Sequence, residues 1–205
     1  MFQIIIRKWI GYVTQPVAKR IAALGITANM LTIIGLLFGI GAGVCLVLGQ
    51  LKLAGALILI GGVFDLMDGA VARVSNRNTP FGALLDSVVD RYSEGAIFLG
   101  LAIYFSMEKM IDGLTLTCLG LISAFLVSYV RARAEGLQVE CKVGLMQRPE
   151  RVILLSMGVI FRNLSIVNIS ILILALWILV VLSHITVLQR VVSASRKFQG
   201  AGAYK

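Results

Sequence analysis

Between residues 29 and 189 the sequence is a series of apolar runs, each about 15–25 residues long, divided by short charged or turn-forming stretches. Runs of that length match the hydrocarbon thickness of a bilayer when they are helical, and inside a bilayer a segment must satisfy its own backbone polar groups. The short alternating segments of a barrel are absent. Hydrophobic residues make up 59% of the chain, charged residues 14%, and the mean hydropathy is +0.94. Soluble domains lie nearer about 45–50% apolar and about 25% charged. The sequence therefore reads as an all-α integral membrane protein forming one domain over residues 1–205.

Residues 1–24 carry Phe2, Ile6, Trp9, Val13, Val17, Ile21 and Leu24 on one stripe, with Arg7, Lys8, Lys19 and Arg20 off it. This pattern predicts an amphipathic interfacial helix, bent near Pro16. Six transmembrane helices are expected after it, within a core of 25–189: about 29–49, 53–75, 80–106, 113–135, 149–161 and 166–189. Residues 190–205 are expected to form a fraying basic tail. Thr27 and Asn29 are candidate caps for the first span, and Thr79 with Pro80 for the third. Gly35, Gly39 and Gly43 recur every fourth residue, a ridge for close helix packing. Cys45 and Cys118 read as buried small hydrophobes, and the interleaved charges at the start argue against a cleavable leader.

The net charge of +9 is distributed unevenly. Of 19 Lys and Arg residues, only Lys52, Lys109 and Arg162 fall in connections assigned to the outside, leaving 16 on the opposite side. By the positive-inside rule, both termini are expected in the cytosol, in a multi-pass protein of the cytoplasmic membrane. The same imbalance makes anionic membrane lipids and anionic substrates better partners than nucleic acid.

Against this apolar background, Asp65, Asp68, Asp86 and Asp90 stand within 26 residues, in a chain with only ten acidic residues. On helices, Asp65 and Asp68 are three apart and Asp86 and Asp90 four apart, so each pair shares a face. Helices turned toward each other would bring all four into one cleft, where a low dielectric forbids such a cluster without positive charge. Arg73 supplies too little. A hard divalent cation, or two, is the natural partner, and carboxylate-held Mg²⁺ commonly also holds substrate phosphate. Arg131, Arg133, Arg148 and Arg151 fall at the same ends of later helices, where arginine forks suit phosphate oxygens. The pairing suggests two phosphate-bearing reactants, one held by metal and one by arginine. His184, alone near the end of the last helix, reads as a packing residue.

The stretch Asp65-x-x-Asp68-Gly69-x-x-Ala72-Arg73, eight residues, then Gly82-x-x-x-Asp86-x-x-x-Asp90 resembles the motif of the CDP-alcohol phosphatidyltransferases at every fixed position. The resemblance implies that the four aspartates bind or adjoin two divalent cations, Mg²⁺ or Mn²⁺, with Asp90 as general base. It implies a CDP-lipid pocket drawn from Asp65, Asp68, Gly69, Ala72, Arg73 and Gly82, with Asn29 and Thr32 beside them. Small residues suit a site where a diphosphate approaches backbone closely. It also implies a homodimer. Ser128-Tyr-Val-Arg131-Ala-Arg133-Ala-Glu135 and Gly144-Leu-Met-Gln-Arg148-Pro-Glu-Arg151 look like the branch that makes phosphatidylinositol phosphate or its archaeal ether-lipid counterpart. In that branch Arg133, Arg148 and Arg151, with Arg131 nearby, would hold the phosphate of the acceptor, a phosphorylated polyol.

The implied reaction moves a phosphatidyl group from CDP-diacylglycerol to a hydroxyl of inositol phosphate, releasing CMP. Glycerol 3-phosphate, serine or a CDP-inositol and inositol-phosphate pair are alternative reactants for the same chemistry. A divalent-cation transporter is the rival of another class, since intramembrane acids also build ion paths. Transport calls for polar residues along both halves of the helices, and Leu36 to Val47, Leu53 to Ile60 and Ala96 to Tyr104 are almost wholly apolar.

Overall fold

The computed structural model describes residues 14–75, 79–166 and 169–202, and it is all-α apart from one minimal hairpin. In chain order the elements are α1 (14–23), α2 (Ala28–Val47), α3 (Leu51–Val74), α4 (Pro80–Met107), α5 (Ile111–Gly136), α6 (Arg148–Ile160), β1 (Ser165–Ile166), β2 (Ile169–Ser170) and α7 (Ile171–Gly202). The two strands pair antiparallel, Ser165 with Ser170 and Ile166 with Ile169. The first half of the expected interfacial stripe, Phe2 to Val13, lies outside the described residues.

The expectation of six spanning helices is corrected to four. Among the described residues Ala28–Val47, Leu51–Val74, Ile111–Gly136 and Ile171–Gln199 are long and apolar enough to cross a membrane. Helix α4 has the length but carries Asp86, Asp90, Arg91 and Glu94 through its first half. Helix α6 has 13 residues, which at about 1.5 Å each is about 20 Å, short of the roughly 30 Å of hydrocarbon. The chain is thus a multi-pass membrane protein, and both exceptions, α4 and α6, carry charged residues to the site. The expected basic tail is also corrected, because α7 runs unbroken to Gly202.

Helix α2 is the wall on which α3 and α4 both pack, and α3 and α4 do not form a close-packed pair with each other. The glycine ridge explains how. Gly35 faces Gly61 of α3, while Gly43 lies so close to α4 that a Cβ on it would stand 2.6 Å from the Ala96 carbonyl oxygen. Two backbones in such contact leave room for no side chain, so α4 seats directly on α2. Helices α5, α6 and α7 close the other side around a core that includes Phe98, Leu101, Phe105, Leu172, Leu176 and Leu179. Large apolar residues such as Leu37, Val63, Leu99, Trp177 and Leu188 point outward, as lipid contact requires. Cys118 is exposed and Cys141 buried, the reverse of the expectation for Cys118. Ala18 of α1 is buried among Leu31, Ala70 and Val71, so α1 packs against the start of α2 and the acid-bearing end of α3.

Candidate active site

Local sequence sets where each acidic pair points. Thr79 caps α4 by accepting from the Gly82 N–H at 3.0 Å, with Pro80 at the first position, so α4 starts at a fixed residue and its Asp86 and Asp90 face inward. Thr27 caps α2 in the same way through the Met30 N–H. One turn on, the Thr32 hydroxyl donates to Asp68 Oδ2 at 2.8 Å. Asp68 is buried, and that hydroxyl orients it. Asp65, Asp68 and Asp86 each bring a carboxylate oxygen to within 4.8 Å of the other two. Asp86 Oδ1 is buried and has no hydrogen-bond partner among the described residues. A buried acceptor without a donor costs free energy, and three oxygens so placed form a hard donor set that fits Mg²⁺ or Mn²⁺.

Asp90 stands outside that trio. Arg148, from the first turn of α6, bridges it to the trio, pairing with Asp65 and with Asp90 Oδ1 at 2.8 Å. Arg91 approaches Asp90 Oδ2 at 3.6 Å and donates to the Ser87 carbonyl. On the other side of the acids an open cleft of about 770 Å³ runs between α2, α3 and α4. Seven of the residues expected at a CDP-lipid site line it: Asn29, Thr32, Asp68, Gly69, Ala72, Arg73 and Gly82. Asp65 lines a small adjoining cavity with Asp68, Asp90 and Arg148. A Cβ at Gly82 would stand 3.3 Å from Asn29 Oδ1, so a larger residue there would press on the cleft wall.

The arginines divide into two groups. Arg148 and Arg151 line a narrow cavity behind the acids, together with Ser93 and Glu94. Arg151 is buried and makes a two-bond pair with Glu94, Nε to Oε1 at 2.8 Å and Nη2 to Oε2 at 3.1 Å. Arg131 pairs instead with Glu135 at 2.9 Å on the half-exposed end of α5. Arg133 is exposed and has no ion pair among the described residues. Neither lines the cavities above. His184 hydrogen-bonds within its own helix to Val180 O at 2.9 Å, as a packing residue does.

Residues 25–192 match the CDP-alcohol phosphatidyltransferase family. The chain belongs to that family. It is 40% identical over 157 residues to the archaetidylinositol phosphate synthase of Methanothermobacter thermautotrophicus, covering 77% of this chain and 74% of that one. To the phosphatidylinositol phosphate synthase of Mycobacteroides abscessus it is 35% identical, covering 90% and 84%. Its fold is similar to crystal structures of the phosphatidylinositol phosphate synthase of Mycobacterium tuberculosis. The one with CDP-DAG bound superposes with a TM-score of 0.77 at 30% identity, covering 89% of this chain and 94% of that one. The one in complex with manganese and citrate also gives 0.77, at 29% identity and 88% coverage of each. As a member of this family the protein is a CDP-alcohol phosphatidyltransferase-type enzyme with a divalent-cation-binding acidic cluster.

Two parts of the site are not evident from the sequence. Glu94 reads there as a polar extension of α4, and its arginine partner is 57 residues away. Arg190 reads as the start of the tail but is buried on α7, where it donates to the carbonyls of Val143 (2.9 Å) and Val127. The available signal is Ser183, Thr186 and Arg190, a polar stripe at three-to-four spacing on an apolar helix. Thr186 and Arg190 of this stripe stitch down the 137–147 loop that delivers α6. Thr186 Oγ1 accepts from the Met146 N–H at 2.9 Å, and Lys197 Nζ donates to the Glu140 carbonyl at 2.6 Å. In that loop, hydrogen bonding to Lys142 lowers the Glu140 carboxyl below its usual range.

Gly144 sits in the same loop at φ +138, and a Cβ there would collide with the Thr186 methyl. Gly144→Ala is therefore expected to destabilise the protein by about 1–3 kcal/mol, the usual cost of a strained backbone position. A lowered thermal midpoint of the purified variant in detergent checks this, and an unchanged midpoint counts against the stitched loop.

Proposed function

We propose that the protein transfers the phosphatidyl group of CDP-diacylglycerol to a hydroxyl of inositol phosphate, forming phosphatidylinositol phosphate and CMP. The observation that carries this reading is the side-by-side arrangement of two anion sites. A carboxylate trio suited to divalent cations borders an open cleft, and a cavity lined by two arginines lies directly behind it. The identities to inositol-phosphate-lipid synthases support the choice of acceptor.

Asp65, Asp68 and Asp86, with Asp90 beside them, hold two divalent cations, Mg²⁺ or Mn²⁺. When bound, such cations neutralise the diphosphate, stabilise charge at the transferring phosphorus and improve CMP as a leaving group. Gly69, Ala72, Gly82, Asn29 and Thr32 leave space for the cytidine diphosphate, and Arg73 at the rim supplies a positive charge. Arg148 and Arg151 hold the acceptor phosphate, with Arg131 and Arg133 adding positive charge from the end of α5. Asp90 accepts the proton of the attacking hydroxyl. The hydroxyl oxygen bonds to the lipid-side phosphorus as that phosphorus parts from the CMP oxygen, which keeps the electron pair. Positioning and electrostatics supply most of the acceleration.

The excess of Lys and Arg at the acid-bearing end supports an active site and both termini on the cytosolic side of the cytoplasmic membrane. The homodimer of the family is part of the same reading. The test is a purified preparation given radiolabelled CDP-diacylglycerol, Mg²⁺ or Mn²⁺ and a panel of acceptors: inositol phosphate, inositol, glycerol 3-phosphate and serine. CMP release and product lipid with inositol phosphate alone are expected. Turnover with serine or glycerol 3-phosphate and none with inositol phosphate would overturn the assignment.

A further inference from the structure

Two arginines on the first turn of α6 meet two carboxylates on α4, and the spacings match. Arg148 and Arg151 are three apart; Asp90 and Glu94 are four apart, so each pair lies along one helix face. Arg148 reaches Asp90 at 2.8 Å and Arg151 reaches Glu94 at 2.8 and 3.1 Å, two parallel rungs between the helices. The lower rung is shared with the metal-binding acids through Asp65. The upper rung is separate from them and drier: the side chains of Arg151 and Glu94 are 3% and 12% exposed.

We propose that Glu94 is a positioning residue for acceptor binding, fixing Arg151 in register with Asp90 so that the acceptor's phosphate and its attacking hydroxyl are held one helical turn apart. This rests on the acceptor reading given above. The chemistry of the fork makes the case. A guanidinium has two edges able to grip oxygens in pairs. Glu94 takes the edge formed by Nε and Nη2, while Nη1 lies 3.5 Å from the Met146 carbonyl. The end carrying Nη1 and Nη2 keeps donors for a phosphate. With one edge locked, the planar group cannot swing, and its remaining donors keep a single direction. Ser93, Glu94, Arg148 and Arg151 line one narrow cavity, so both rungs border the same space beside the acids. A buried ion pair is weak evidence of stabilisation, because desolvation cancels much of its attraction. A role in geometry accounts better for a carboxylate placed here than a role in holding the helices together.

Glu94→Gln keeps the size and hydrogen-bonding oxygen but removes the charge that grips both nitrogens. In the purified full-length enzyme it is expected to raise the KM for inositol phosphate about tenfold or more, with kcat and the KM for CDP-diacylglycerol each within about twofold of wild type. Arg151→Ala is expected to show the same selective pattern, more strongly. Glu94→Asp, which retains the charge on a shorter arm, should fall between Gln and wild type, an order that simple loss of packing does not produce. A Glu94→Gln enzyme with unchanged acceptor KM, or with both KM values rising together, overturns the inference. If Glu94→Gln does not purify as a folded protein, Glu94→Asp decides on the same criterion of a selective against a parallel change. A wild-type enzyme that uses no phosphorylated acceptor sinks the acceptor reading and this inference with it. A wild type that turns over inositol phosphate while the variants show no selective effect sinks the role of Glu94 alone.

Discussion

Asp90→Asn is expected to lower the turnover of CDP-diacylglycerol and inositol phosphate by about 10²–10⁴-fold, the range that general acid–base groups contribute. The amide has nearly the shape of the carboxylate but cannot take the proton of an attacking hydroxyl. Asp90 is half-buried, at the junction of the cleft-side cavity and the arginines, and it lies outside the carboxylate trio whose oxygens cluster within 4.8 Å. Its removal as a base therefore leaves that trio intact. Arg148 retains Asp65, so the guanidinium is not left without a counter-charge. The variant should fold, bind CDP-diacylglycerol with near wild-type affinity and fail in the transfer itself. CMP release by the purified variant measures this. Turnover close to wild type would remove Asp90 from the role of base, whatever its position.

The aspartates are legible in the sequence because the bilayer makes them expensive. In a soluble protein, Asp65-x-x-Asp68 on a helix would say little, whereas in an apolar segment each acid needs a reason. The helical spacing of that stretch places the pairs on common faces, and α3 and α4 bring Asp65, Asp68 and Asp86 together, with Asp90 in the adjoining cavity. Span number is less legible, for a related reason. The run of α4 is apolar in its second half, Ala96 to Tyr104, so it reads as a span until Asp86, Asp90, Arg91 and Glu94 are weighed together. The run of α6 is apolar enough to resemble a span, but its 13 residues do not reach across. Least legible are the pairings between helices. Nothing in the local sequence says that Glu94 meets Arg151, or that Arg190 turns back on Val127, 63 positions away. Those contacts depend on how the helices stack, which spacing along one helix does not encode. Arg131 and Arg133 illustrate the converse: they share the sequence neighbourhood of the expected phosphate site, yet they stand on the exposed end of α5.

Removal of divalent cations should abolish activity and also loosen the acid-bearing end of the fold. The charges there do not balance among the protein's own groups. Arg148 serves Asp65 and Asp90, and Arg91 lies 3.6 Å from Asp90. Asp68 has the Thr32 hydroxyl, and Asp86 Oδ1 is buried without a partner among the described residues. Two carboxylates near a third, away from bulk water, repel one another unless a cation joins them. The resulting strain falls on α3 and α4, which do not pack closely on each other and are joined at this end through α2 and the Arg148 bridge from α6. A cation that binds the folded site and not the unfolded chain stabilises by about 2.7 kcal/mol at a hundred times its dissociation constant. Addition of Mn²⁺ or Mg²⁺ to chelator-treated protein should therefore raise its thermal midpoint in a saturable way and restore CMP release over the same concentration range. Asp86→Asn should shift both curves to higher cation concentration together, because it removes one oxygen of the trio and part of its repulsion. Full activity in the presence of excess chelator, or a midpoint indifferent to both cations, would be incompatible with a metal-assisted transfer at these aspartates.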